Sequence, residues 1–217
     1  VAEEVREILA SLGFRKLTDV IGRTDLLRQV SRGSDDLDDL DLNPLLVKAD
    51  AGPHPAWCDM EGRNEVPETL DADMIRDAAA LFQRGEKMQL AYNIRNTHRA
   101  IGTKISSRIV RKFGMSGLQD GHLTVRLRGS AGQSLGAFAV KGLKLEVFGD
   151  ANDYVGKGLS GGTIVVRPAP SSKLVWNENT IIGNTVLYGA TGGALFASGQ
   201  AGERFAVRNS GALAVVE

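Results

Sequence analysis

Short apolar pieces punctuated by glycine, asparagine and serine, recurring about every twenty residues, narrow the possible folds of this chain more than any other feature. Val186–Tyr188, Ala194–Ala197, Phe205–Val207 and Ala212–Val216 are three to five residues long, and each is bounded by such residues or by the chain end. None is long enough for a helix, so they are expected to be short strands joined at tight corners. Upstream, Leu123–Leu127, Leu143–Val147 and Thr163–Val166 begin at intervals of twenty residues. A repeat of that length whose units cannot bury their apolar side alone predicts a mainly β architecture: a parallel β-solenoid, three-sided and of about 20 residues per coil, with N-terminal helices and an extended linker. Nineteen of the 26 glycines lie from Gly114 onward, and Gly142, Gly149 and Gly156 fall seven apart, about one side of such a coil.

Composition limits the function classes. The 26 basic and 26 acidic residues cancel, so no whole-molecule attraction to nucleic acid or anionic membrane is expected. The charge is divided, however: residues 1–66 carry 14 acids against 8 bases, and the remainder 12 against 18. The two parts are expected to attract each other. One cysteine, Cys58, excludes an internal disulfide and fits a reducing, cytoplasmic setting. The chain shows no membrane-length apolar run and no leader pattern. With no initiator Met and a last residue inside a strand pattern, it reads as a piece of a longer polypeptide.

Val5, Ile8, Leu9 and Leu12 form one helical stripe with Gly13 at the stop, and a second short helix is expected at Leu17–Gly22. Residues 31–66, acidic at Asp35–Asp41 and broken by Pro44, Pro53 and Pro55, read as an extended linker whose Leu37, Leu40 and Leu42 lie along a partner's groove. From Asp71 a helix returns with Ile75, Ala78, Ala79 and Phe82 on one face, ending at Gly85. Met88, Leu90, Tyr92 and Ile94 alternate as a half-buried strand, and Arg99–Phe113 forms a helix that plugs the first coil. The domains expected are 1–30, helical; 31–66, linker; and 67–217, β-helix with a helical cap.

Several motifs carry potential chemistry. Gly156-Lys-Gly158-Leu-Ser-Gly161 matches the dinucleotide fingerprint, but a strand rather than a helix follows, which favours corner glycines. Gly132-Gln-Ser134-Leu-Gly136 matches a nucleophile elbow, yet His54, His98 and His122 all precede the serine and no helix follows. The histidines and Cys58 lack metal-ligand spacing. Arg95, Arg99, Lys104, Arg108, Arg111, Lys112, Arg126 and Arg128 form a basic region nearly free of stacking aromatics, which favours an acidic neighbouring domain over nucleic acid. Asn152, Asn177, Asn179, Asn184 and Asn209 sit at expected corners, as stacked ladders or as plain turn residues. A carbohydrate-acting enzyme needs clustered carboxylates, and the one dense group, Glu146, Asp150 and Asp153, flanks a corner.

Asn179–Thr191, Gly199–Gly211 and Gly149–Gly162 together closely resemble the GXGXG domain found at the C-terminus of glutamate synthase large subunits. Ile21–Leu27 and Tyr92–Gly102 resemble, respectively, the end of the FMN-binding synthase domain and the entry to the GXGXG domain. The resemblance implies a right-handed parallel β-helix without catalytic, cofactor-binding or metal residues. It implies a parent oxidoreductase, of the NADPH-dependent type, that converts glutamine, 2-oxoglutarate and reductant to two glutamates using FMN and an iron–sulfur cluster, with NADPH and FAD acting through a small β subunit. Its partners are then the amidotransferase, central and FMN synthase domains of the same polypeptide and that β subunit, with no nucleic acid and no membrane. The role implied is to brace the amidotransferase and synthase domains for ammonia channelling. A free-standing scaffold subunit, as in formylmethanofuran dehydrogenase, stands as the alternative.

Overall fold

The computed structural model describes residues 1–217, which divide into two compact units, Val1–Glu65 and Val66–Glu217. The first unit is built of short pieces. Helix α1, Ala2–Ser11, begins with Glu3 and Glu4 at the positive end of its dipole. It closes in a Schellman turn, in which the Phe14 and Gly13 N–H groups donate to the Leu9 and Ala10 carbonyls while Gly13 takes φ +78°. The expected second helix is a single 3₁₀ turn, Leu17–Asp19, because Lys16 and Asp19 cap that turn and nothing extends it. The acidic stretch contains one helical turn, α2 at Asp35–Asp38, and a 3₁₀ turn at Asn43–Leu46. Leu37, Leu40 and Leu45 are exposed throughout, as is most of the α1 stripe.

The second unit holds the core. Helix α3, Leu70–Asp77, and α4, Ala79–Arg84, replace the single helix expected there, because the backbone at Ala78 leaves the helical region with ψ of 19°. That break turns Met74, Ala78, Leu81 and Phe82 inward and leaves Ala79 outside. Strand β1, Met88–Ile94, follows, with the alternation its sequence predicts. Helix α5 runs Thr103–Phe113, starting four residues later than expected because Ala100–Gly102 forms a turn closed by the Thr103 N–H on the Ala100 carbonyl. It buries Ile105 and Ile109, just after buried Ile101.

Asp71 holds α5 in place. Its side chain is buried, and its carboxylate accepts the Gly102 and Lys104 N–H groups at 2.8 and 2.7 Å, so α3 caps the N-terminus of α5. Burial pushes this carboxyl above its ordinary pKa, opposed by the backbone donors and by Lys104.

Strands β2 (Leu123–Ala131), β3 (Leu143–Ala151), β4 (Ser160–Arg167), β5 (Thr180–Ile182), β6 (Gly192–Ala197), β7 (Gln200–Ala201) and β8 (Leu213–Val216) join β1 in one eight-stranded sheet. Every pairing is parallel. The main path is β1-β2-β3-β4-β6-β8, and a side path runs β3-β5-β7. Leu123 pairs with Leu143, twenty residues on, but Thr163 pairs with Lys144, so the third expected repeat is nineteen long. Thr163 then pairs with Ala194 across a coil lengthened by an excursion over 168–179, and Ala194 pairs with Leu213.

Register stacks like on like. Val125, Leu145, Ile164 and Leu195 form one wholly buried column, and Leu127, Val147, Val166 and Ala197 form the next. Parallel strands one coil apart thus bury in common what none buries alone. Gly129 pairs with Gly149, and a Cβ on Gly149 would overlap the Gly129 carbonyl, which accounts for glycine at that corner. No helix is long and apolar enough to cross a membrane.

Candidate functional site

Beside the sheet, successive coils repeat one backbone device. Positive φ falls on alternate residues: Ser134, Gly136 and Phe138; Tyr154, Gly156 and Gly158; Thr185, Leu187 and Gly189; Arg204, Ala206 and Arg208. Ala100 and Gly102 begin the series. Val186–Tyr188 and Phe205–Val207, expected as strands, are therefore turns; Val186, Leu187 and Phe205 serve the core, but from a backbone no strand adopts. A left-handed conformation costs a non-glycine residue about 1–2 kcal/mol. Something must offset that cost.

The offset is a ladder. In all but the last turn the first positive-φ residue donates its N–H forward: Ser134 to the Asp153 carbonyl at 2.8 Å, Tyr154 to Asn184 and Thr185 to Glu203, both at 2.9 Å. The middle residue donates backward: Gly136 to Ile101, Gly156 to Leu135, Leu187 to Val155 and Ala206 to Val186, all between 2.7 and 3.0 Å. The third donates forward again: Phe138 to Lys157, Gly158 to Tyr188 and Gly189 to Arg208. Successive positive-φ residues thus donate to opposite sides, so the coils inside the stack bond both neighbours. Between them Leu135, Val155 and Val186 point inward as a buried column.

Side chains extend the ladder. Asp153 Oδ1 accepts the Asn184 N–H at 2.8 Å, and Asn184 Oδ1 accepts the Glu203 N–H at 2.7 Å. The asparagines do not pair with one another: Asn209 caps its own turn through the Gly211 and Ala212 N–H groups, Asn152 accepts from Asp153, and Asn179 donates to the Val175 carbonyl. The ladder is therefore Asx to backbone, because a main-chain donor one coil away lies within reach of the short side chain.

This geometry settles the motifs. In Gly156–Gly161 the Gly156 and Gly158 N–H groups are consumed by neighbouring turns and β4 follows, so no phosphate cradle exists there. Ser134 lies in the preceding turn, without the helix a nucleophile elbow requires. His122 faces the Gly85 carbonyl at 2.9 Å and His98 accepts from the Arg95 N–H. No three His, Cys, Asp or Glu side chains converge as a metal site.

The carboxylates are likewise engaged. Glu146 sits between Arg126 at 3.1 Å and Arg167 at 3.2 Å, with Arg167 over the Phe148 ring at 4.5 Å. Asp150 accepts from the Ser130 hydroxyl. Of the eight cations in the basic region, Arg126 is thus paired with an acid and Arg99 donates to Gln133; Arg95, Lys104, Arg108, Arg111, Lys112 and Arg128 have no ion pair. On the outer rim Lys157 lies over Tyr154 and Arg208 over Tyr188, at 5.7 and 5.6 Å, while Phe138 stays exposed. Sequence reasoning missed the alternating φ, whose one signal is that glycines in one coil share a register with bulky residues in the next. Chemically, the arrangement spends its polar groups on holding coils together.

Residues 71–217 match the model of the GXGXG motif family. The chain is 74% identical over its whole length to the glutamate synthase [NADPH] large chain of Azospirillum brasilense, covering 14% of that protein. It is 44% identical, over all of its length and 14% of the relative's, to ferredoxin-dependent glutamate synthase 2 of Synechocystis. To the glutamate synthase [NADH] of Saccharomyces cerevisiae it is 42% identical over 99% of this chain and 10% of that one. The chain therefore spans a small part, 10–14%, of the length of these relatives.

Proposed function

This chain belongs to the GXGXG motif family, and from that membership we propose that it is the GXGXG domain of a glutamate synthase large chain, a non-catalytic brace between the domains that release and consume ammonia. The observation that carries the reading is identity of 74%, over an alignment that spans the whole chain, to such a protein. We also propose that the coils close into a right-handed, three-sided β-helix. The support is that coils add to the sheet's main path, to the ladder of positive-φ turns and, at Ala151, Ile182 and Ala201, to the side path.

A brace needs stiffness. Parallel pairing on the main path and two-way donation at the turns resist both shear and separation of coils. In this reading residues 1–30 close the synthase domain, 31–66 link it to the brace, and 67–217 are the brace itself. The parent is a cytoplasmic enzyme working with FMN, an iron–sulfur cluster and, through a small β subunit, NADPH and FAD. A cysteine-held cluster does not fit these residues, since Cys58 is the only cysteine and stands exposed. The relatives named above favour this assignment over a free-standing scaffold subunit.

Loosening one coil of the full-length protein tests the role. Gly156→Val puts a branched side chain at φ +65° against Leu187. Glutamine-dependent glutamate formation is expected to fall, and released ammonia to rise, while ammonia-dependent synthesis persists. Undiminished coupling in a variant with a clearly lowered melting temperature would refute the brace.

A further inference from the structure

We propose that the groove between α3–α4 and α5 docks an acidic protein segment that also carries an apolar residue. The inference deepens the reading of this chain as one domain among several and rests on it, because the occupant is then another part of the large chain. The groove measures about 530 Å³, and Ile75, Ala79, Phe82, Arg76, Arg108 and Lys112 line it. Its floor is apolar and its rim cationic.

No acid forms an ion pair with the cations of α5. Between Thr103 and Phe113, α5 carries Lys104, Arg108, Arg111 and Lys112, all exposed, and no acid. The acids of α3 are taken: Asp73 by Arg76 at 2.6 Å, Asp77 by Arg76 at 3.5 Å and by the Tyr92 hydroxyl at 2.8 Å, and Asp71 by the backbone of α5. Beyond α4, Glu86 pairs with Arg84. Arg111 and Lys112 suit the negative end of the helix dipole, but Lys104 lies in the first turn, where a cation gains nothing from it. Arg108 lies 5.8 Å above the Phe82 ring, which orders the guanidinium and leaves its edge donors free.

An apolar floor under a fixed arginine fits a segment with a hydrophobic anchor flanked by carboxylates. It fits nucleic acid poorly, because Phe82 is buried and offers no stacking face among the cations.

The test couples Lys104 and Lys112 to neighbouring carboxylates with a zero-length carbodiimide in the full-length large chain, followed by peptide mapping. Links to Asp or Glu side chains outside residues 1–217 are expected, and Arg108→Glu with Lys112→Ala should lower the remaining Lys104 links about fivefold, the loss of roughly two exposed ion pairs. Links confined to Asp73, Asp77 or Glu86, or links insensitive to Arg108→Glu in a protein with an unchanged melting temperature, would overturn the proposal. Retention of a single-stranded RNA oligomer by the wild type and not by the variant would reassign the groove to nucleic acid and overturn it too. Links of the expected kind in a polypeptide without glutamate synthase activity would refute the parent reading and leave the docking site standing.

Discussion

Gly156 and Ala206 occupy equivalent middle positions of two turns, at φ +65° and +56°, so opposite substitutions there should act in opposite directions. Gly156→Ala forces a Cβ to 2.9 Å from Leu187 Cδ2 and is expected to cost about 1–3 kcal/mol in urea unfolding. Ala206→Gly relieves left-handed strain of about 1–2 kcal/mol and adds chain entropy to the unfolded state, for a net gain of about 0.5–1 kcal/mol. Asp71→Ala should cost about 1–3 kcal/mol by leaving the Gly102 N–H buried and unpaired and the part-buried Lys104 N–H without its acceptor. The pH dependence of Asp71 has a definite sign. With its pKa raised in the folded protein, the folded state holds that proton more tightly than the unfolded state. Its contribution is thus fullest below the ordinary carboxylate pKa and declines as pH rises through the raised one. The stability difference between wild type and Asp71→Asn, measured by urea titration across that window, should shrink with rising pH. The glycines of this site were legible in the sequence; Phe138, Tyr154 and Leu187 were not, because nothing in those side chains marks a left-handed backbone and only hydrogen bonds to adjacent coils impose it.

At the level of elements, period mattered more than propensity. Leu123, Leu143 and the following strand were legible because inward apolar positions recur at nearly constant spacing, and the nineteen-residue third coil shifts the register by only one position. Val186–Tyr188 read as a strand because its residues are β-formers, yet the ladder needs a turn there. The break at Ala78 carries no glycine or proline to announce it and follows from packing Met74 and Phe82 into one core. Between strands, Glu146 ties Arg126 of β2 to Arg167 of β4. Glu146→Gln should cost about 1–2 kcal/mol, between the values for exposed and buried pairs because the arginines are half exposed, and thermal melting of Arg126→Ala, Glu146→Gln and the double variant should show coupling.

Across the whole molecule, every buried hydrophobic residue lies at Met74 or beyond. The first 65 residues therefore bury too little apolar surface to offset their chain entropy by themselves. Limited proteolysis should cut within Val1–Glu65 first and leave a resistant Val66–Glu217, readable by mass spectrometry. The excursion over 168–179 has a consequence for how such a molecule can change. Thr163 through Val166 pair in phase with Ala194 through Ala197 although the connection between them is longer than any other in the stack apart from that carrying α5. Segment length at that corner is thus decoupled from strand phase, and the corner is a permissive port at which foreign loops can be grafted without retuning the scaffold.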